Sequence, residues 1–378
     1  MKWLKGYRIK LMLVVFMANI VLRGGGNAKA DFRFGTPMLF DEPVNSIGIE
    51  HFNYISDDGL EIYIESPVPI DDILSLDWDI YVSTRETTND PWSVPVSLGY
   101  TVNSSRYVDG SACLSNDGLE LYFSSNREGD GYFDIFVTTR ESRYSDWGIP
   151  VNLGPTINTP GSNMTPWITT DGLELYFSSK RPGDSVNIDI YVSQRLSIND
   201  PWQMPVNLGT VVNSRVDDCF PCLSPDGLVL FFSDRDNPSV FRYAGHGQTD
   251  MWMTRRKSTS DPWGIPVNLG PNINSSYFES QPRISQDGSI LYFTSSRLGK
   301  IERFTDIWQV SIEPVVDLNA DGIIDVMDMS IMVDYLGTDE PLCDIGPMPW
   351  GDGIVDVEDL MVLAEYLFEE VPVTELVE

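Results

Sequence analysis

Apolar and polar residues alternate along most of this chain in short runs with a period of two, and the runs themselves recur. After Asp117-Gly118, for example, Leu119, Leu121 and Phe123 fall on one side of an extended segment. Alternation of this kind, opened by a two-residue turn signal, predicts a strand leaving a hairpin. The Asp-Gly recurs at Asp58, Asp117, Asp171, Asp226 and Asp287, at spacings of 59, 54, 55 and 61 residues. Five copies at that period predict a repeat architecture.

Each copy holds four strand-like segments. One follows the Asp-Gly, and a second is Asp-Ile-Phe-Val from Asp134, with counterparts at Asp79, Asp189, Asp250 and Asp306. A third carries Trp147-Gly-Ile-Pro-Val-Asn-Leu-Gly, matched from Trp92, Trp202 and Trp263, and the fourth lies just before each Asp-Gly. Four antiparallel strands with mostly apolar faces suit a propeller blade, sandwiched between its neighbours. The fifth repeat lacks a Trp-x-x-Pro segment, while the chain starts with an orphan one from Phe34-Gly-Thr-Pro37 to Val44-Asn45. The expected fold is therefore mainly β, a five-bladed β-propeller whose N-terminal strand closes the last blade and leaves no open sheet edge.

Ser-Pro-Asp226-Gly, an aromatic strand, then Ser-x-x-Arg and Asp-Ile-Tyr-Val resemble the WD-like repeat of TolB-type propellers over residues 34 to 312. The resemblance implies the fold and leaves function open, because propellers serve binding proteins and enzymes alike.

Residues 1–30 read as a secretory signal peptide. Lys2, Lys5, Arg8 and Lys10 precede the apolar Leu11 to Leu22, and Ala28-Lys29-Ala30 offers a small-x-small cleavage site. The expectation is a secreted, extracellular protein, with the periplasm as the second choice and no membrane span once the signal is removed. Residues 31–312 form the propeller, expected to be monomeric, and 313–378 a separate module. A net charge of −31 excludes nucleic acid as a partner. Of Cys113, Cys219, Cys222 and Cys343, the first three read as buried small apolar residues.

The Asp of each Asp-Ile-Tyr strand and the Arg of each Ser-x-x-Arg read as structural, since a residue used once per blade ordinarily serves the blade. Those arginines are Arg127, Arg181 and Arg297, with Arg235 one position out of register; repeat one has Pro67 there instead. Nine residues before each conserved Gly stand Glu50, Asp109, Asn163, Asp218 and Glu279. Strand order puts these on the innermost strands, as a ring near the channel mouth, on the face carrying the loops that join the strand after each Asp-Gly to the Asp-Ile strand. From conserved Gly to the Asp of the next strand those loops span 20, 16, 17, 23 and 18 residues in blades one to five. The longest carry Asp71, Asp72, Asp77 and Trp78 in blade one, and Phe241, Arg242, Tyr243 and His246 in blade four. Trp78, His51, Tyr243 and His246 are the expected ligand-binding face, for a polysaccharide or peptide. No catalytic residue is expected. The alternative is a glycoside hydrolase or polysaccharide lyase using Glu50, Asp109, Asp218 and Glu279, since glycoside hydrolysis needs two placed carboxylates.

From Asp317 the pattern changes. Asp317, Asn319, Asp321, Asp325 and Asp328 occupy positions 1, 3, 5, 9 and 12 of an EF-hand-type loop, with the Ile323 carbonyl at 7 and Gly322 at 6. A second copy has Asp352, Asp356 and Asp359, with Asp344 supplying the first ligand through a longer loop. Each loop precedes an apolar helical run. Paired loops of this kind resemble a dockerin, which implies bound Ca2+, one firm site and a second weaker one, and a cohesin-like partner in extracellular polysaccharide breakdown. The partner-reading positions of that family fall on Val326-Met327 and Val357-Glu358.

Overall fold

The structure, a computed structural model, describes residues 32–45, 49–67, 77–129, 131–181, 187–235, 242, 245–298, 305–340 and 342–368. The expected signal peptide, Asp71, Asp72, Phe241 and Tyr243 lie outside them. The chain divides into two compact units, 36–311 and a second made of the N-terminal residues up to 35 with 312–378.

The larger unit is a five-bladed β-propeller. Blade two shows the plan: Asp109–Leu114 innermost, then Glu120–Ser125, Asp134–Thr139 and a two-residue outer strand, Val151–Asn152, all antiparallel. The innermost strands of successive blades abut one another, and that of blade five abuts His51–Ile55 of blade one, so the ring is closed. Every innermost strand carries one extra residue, a bulge that increases its twist. At each Asp-Gly the glycine has φ between 67° and 73°, a region that L side chains avoid. The Asp accepts the N–H two residues on, fixing the turn.

Closure follows the expected route. Met38–Leu39 pairs with Trp308 and Gln309, supplying the outer strand that blade five lacks. Asn45 then donates to the Ile307 carbonyl at 2.9 Å and accepts the Ile307 N–H at 2.8 Å. Asn103, Asn158, Asn213 and Asn274 do the same for Ile80, Ile135, Ile190 and Met251. One short amide side chain per blade thus satisfies both backbone groups that begin the third strand.

The arginines need one correction. Arg127, stacked over the rings of Phe123 and Phe136, donates to the Val102 carbonyl and the Asp109 carboxylate. In blade four the residue doing this is Arg242, not Arg235: it stacks on Phe232 and Trp252 and bonds Val212 O and Asp218. Arg235 is exposed at the end of its strand. The longer loop of blade four brings its arginine back seven residues later, which a fixed-spacing motif cannot register. A second arginine set, unforeseen, follows the third strand in blades one to four: Arg85, Arg140, Arg195 and Arg256 donate to the turn glycine's carbonyl and lie over Trp92, Trp147, Trp202 and Trp263.

In the smaller unit Phe32–Phe34 pairs with Ile312–Pro314. Helices Val326–Asp334 and Val357–Glu365 bury Met332 and Leu363 in a core with Val316, Ile324, Cys343, Ile345 and Val355. Both are capped by the same device: Asp325 or Asp356 accepts from the first turn, and Asp328 or Asp359 reaches back to the cap N–H.

Candidate functional site

The expected ring of acids does not open onto a channel mouth. Glu50, Asp109, Asn163, Asp218 and Glu279 are each wholly buried. Asp109 takes the N–H and hydroxyl of Ser104 on one oxygen and Arg127 at 2.6 Å on the other. Asp218 accepts Ser214 N–H and Arg242, and Glu279 accepts Ser275 and Ser295. Asn163 bonds Thr159, Gly161 and Ser179. These side chains tie the incoming loop to the innermost strand, so repetition here serves the blade. Burial pushes the Asp218 and Glu279 carboxyls upward, against the pull of Arg242 and of the two serine hydroxyls.

Buried side chains of all five blades meet near the axis. Five positions before each conserved Gly stand Tyr54, Cys113, Trp167, Cys222 and Arg283, one per blade, all buried. Arg283 donates to the Asn53 and Pro282 carbonyls and lies 5.3 Å from the Trp167 ring, which is 5.6 Å from Tyr54. All four cysteines are buried thiols, and burial pushes Cys113 and Cys222 up to about 12.

On the loop face one blade departs from the repeat. The second-strand position occupied by Ser124, Ser178, Ser233 and Thr294 is Glu65 in blade one. Its carboxylate accepts the Ser111 N–H of blade two at 2.5 Å and lies 3.5 Å from the Gln281 amide of blade five. It reaches there because residue 110 is glycine: a Cβ on Gly110 would overlap the Glu65 carboxylate. His51, its cross-strand neighbour, brings Nδ1 to 3.0 Å from Glu65 Oε1. Trp78, first residue of the third strand, packs on the His51 ring at 4.9 Å and 34°. All three are partly exposed. The group gathers an indole face, an imidazole and an acceptor fixed by two other blades, chemistry suited to a polyhydroxylated ring or a peptide.

Beside it lies an electrostatic oddity of blade one. Asp79 bonds only weakly to Ser97, at 3.4 Å, where Asp134, Asp189 and Asp250 receive an outer-strand asparagine. Burial first, then repulsion from Asp77 and Asp109, raises its carboxyl to about 6.

The structure brings two of the four expected face residues together, His51 and Trp78. His246 is exposed and its backbone N–H is given to Asp250. Glu65, Gly110 and Gln281 were missed by sequence reading, although Glu65 is visible as the charged member of an otherwise hydroxyl column once the blades are aligned.

The chain matches no protein-family profile and no curated protein. Among solved structures it is similar to a protein assigned as TolB from Agrobacterium tumefaciens, at 18% identity and TM-score 0.43, covering 76% of this chain and 90% of that one. An α-L-arabinofuranosidase from Lactobacillus brevis gives 16% and 0.47, over 74% and 94% of the two chains. One from Podospora anserina, in complex with cellotriose, gives 12% and 0.45, over 76% and 99%. At such identities and TM-scores none of these likenesses says what this chain does.

In the smaller unit the two acidic loops are built alike. Asp317 accepts the N–H groups of Asp321 and Gly322; Asp344 accepts those of Asp352 and Gly353. Asp321 and Asp352 each accept the N–H two residues on, at Ile323 and Ile354. Asp328 accepts from Asn319 and Asp325, and Asp359 from Ile345, Gly346 and Asp356. Asp344 therefore stands in the second loop where Asp317 stands in the first, while Trp350 is buried. The donor set is all oxygen, matching a hard cation such as Ca2+. Among the described residues no three His, Cys, Asp or Glu side chains converge as a metal cluster; the carboxylates turn to backbone N–H groups.

Proposed function

We propose that this chain is a secreted, non-catalytic recognition protein. Its propeller binds a glycan on the loop face through Trp78, His51 and Glu65, and its C-terminal unit is a calcium-binding, dockerin-like tether to a cohesin-type partner in extracellular polysaccharide breakdown. The observation behind the first half is that the Asp109, Asp218 and Glu279 carboxylates are consumed inside the blades, whereas Glu65 departs from the repeat and reaches the surface at 12% exposure beside the His51 imidazole that Trp78 covers. Glu65 Oε1 faces His51 and Gln281, while Oε2 accepts the Ser111 N–H and retains a further lone pair, which suits a hydroxyl-donating ligand. The tether is supported by the two like-built oxygen loops and by exposed Val326-Met327 and Val357-Glu358 at equivalent helix starts.

The experiment is a polysaccharide and glycan screen of the mature chain that reads both retention and released reducing ends. Retention without release, lost in Glu65→Gln and Trp78→Ala, is the expected outcome. Release of reducing ends that disappears in Asp109→Asn and Glu279→Gln would make the protein a hydrolase or lyase instead. No retention of any glycan would remove the polysaccharide reading.

A further inference from the structure

Where the five Asp-Gly turns converge, at the end of the axis opposite Glu65, the propeller holds a cavity of about 750 Å³ lined by residues of all five blades. Tyr54 and Trp167 contribute aromatic surface, and Leu114, Ile168, Leu223 and Ile284 aliphatic surface. Its polar lining is blade-specific. Two residues before each conserved Gly, one position on from which every blade has Asp, stand Asp57, Asn116, Thr170, Pro225 and Gln286: five different residues at equivalent places, all lining the cavity. A position that the repeat leaves free in every blade, and that faces a shared hollow, serves something other than the blade.

The charges resolve to a single group. Arg195 and Arg256 on the wall are each committed to a turn carbonyl and an indole face. Asp171 and Asp226 accept hydroxyls and N–H groups of their own turns. Glu174 accepts Tyr176 and Gln194. Asp57 differs: it accepts the Tyr54 hydroxyl at 3.1 Å, and among the described residues no cationic side chain pairs with it. A partly desolvated carboxylate between aromatic and aliphatic walls, with no counter-ion among the described residues, favours a cation that carries apolar surface.

We propose that this axial cavity is a second ligand site, independent of the loop face, that takes an organic ammonium with an apolar stem, the cation on Asp57 and the stem against Tyr54 and Trp167. The test compares phenethylammonium with its neutral counterpart 2-phenylethanol on the mature chain, by titration calorimetry and tryptophan fluorescence. The expected result is saturable binding of the amine at least about tenfold tighter than of the alcohol. Asp57→Asn should abolish that preference while the melting temperature holds. Equal affinity of amine and alcohol, no saturable binding of the amine, or a preference that survives in Asp57→Asn overturns the proposal. The comparison in the unsubstituted chain stands even if the variant does not fold.

Discussion

The Glu65 carboxylate of blade one occupies the space that a side chain at Gly110 of blade two would need. The equivalents of Gly110 in the other blades are His51, Met164, Cys219 and Ser280, so two departures from the repeat fit each other across a blade boundary. Gly110→Ala should displace Glu65 from the Ser111 N–H and cost about 1–3 kcal/mol from overpacking. Thermal unfolding measures that loss. On the proposed function, glycan retention should fall with it, whereas Gly110→Ala combined with Glu65→Ser should recover stability without retention.

Asn45 closes the ring as Asn158 closes an ordinary blade. Asn45→Ala leaves the Ile307 N–H and carbonyl buried without that partner, and a loss of about 1–3 kcal/mol is expected. If blade five is held shut chiefly by this N-terminal segment, the variant should also raise hydrogen exchange at Ile307 more than at Ile135.

Arg242 and Arg235 make a paired test of the corrected motif. Arg242→Met strands the buried Asp218 and should destabilise by about 3–5 kcal/mol. Arg235→Met, at an exposed strand end, should stay within about 0.5 kcal/mol. Denaturant unfolding of both variants distinguishes the two positions.

Asp79 gives the propeller a pH dependence. Folded, it keeps its proton to about pH 6; unfolded, it loses it near the ordinary carboxylate range, about 4. The folded state binds that proton more tightly between the two values, so stability present at low pH declines as pH rises through about 6. Asp79→Asn should therefore raise the melting temperature at pH 7 by more than at pH 4. An equal shift at both would mean that Asp79 does not titrate this way.

Calcium is expected to raise the melting temperature of the smaller unit, and chelation to lower it, because the carboxylates of each loop repel one another without the cation. Asp344→Ala and Asp317→Ala should each remove one bound ion by calorimetry. An unchanged stoichiometry in Asp344→Ala would leave the second loop without metal.

The strand alternation, the five Asp-Gly turns and the orphan N-terminal segment were enough to count the blades and to see how the ring closes. Those features are local or periodic: each blade repeats the same backbone problem, and the same residues solve it five times. The recurrence of Glu50, Asp109, Asn163, Asp218 and Glu279 was legible too, but not their fate. Whether such a ring faces a channel or lies inside the blades depends on the loops that fold over it, at Ser104, Ser214 and Ser275. Arg242 escaped because its role is defined by the space between Phe232 and Trp252 rather than by a count along the chain. The Glu65 cluster and the Asp57 cavity join residues from different blades, scores to hundreds of positions apart, and only the closed ring brings them together. A repeating sequence determines the scaffold through its regularities; the places where blades meet make use of its exceptions.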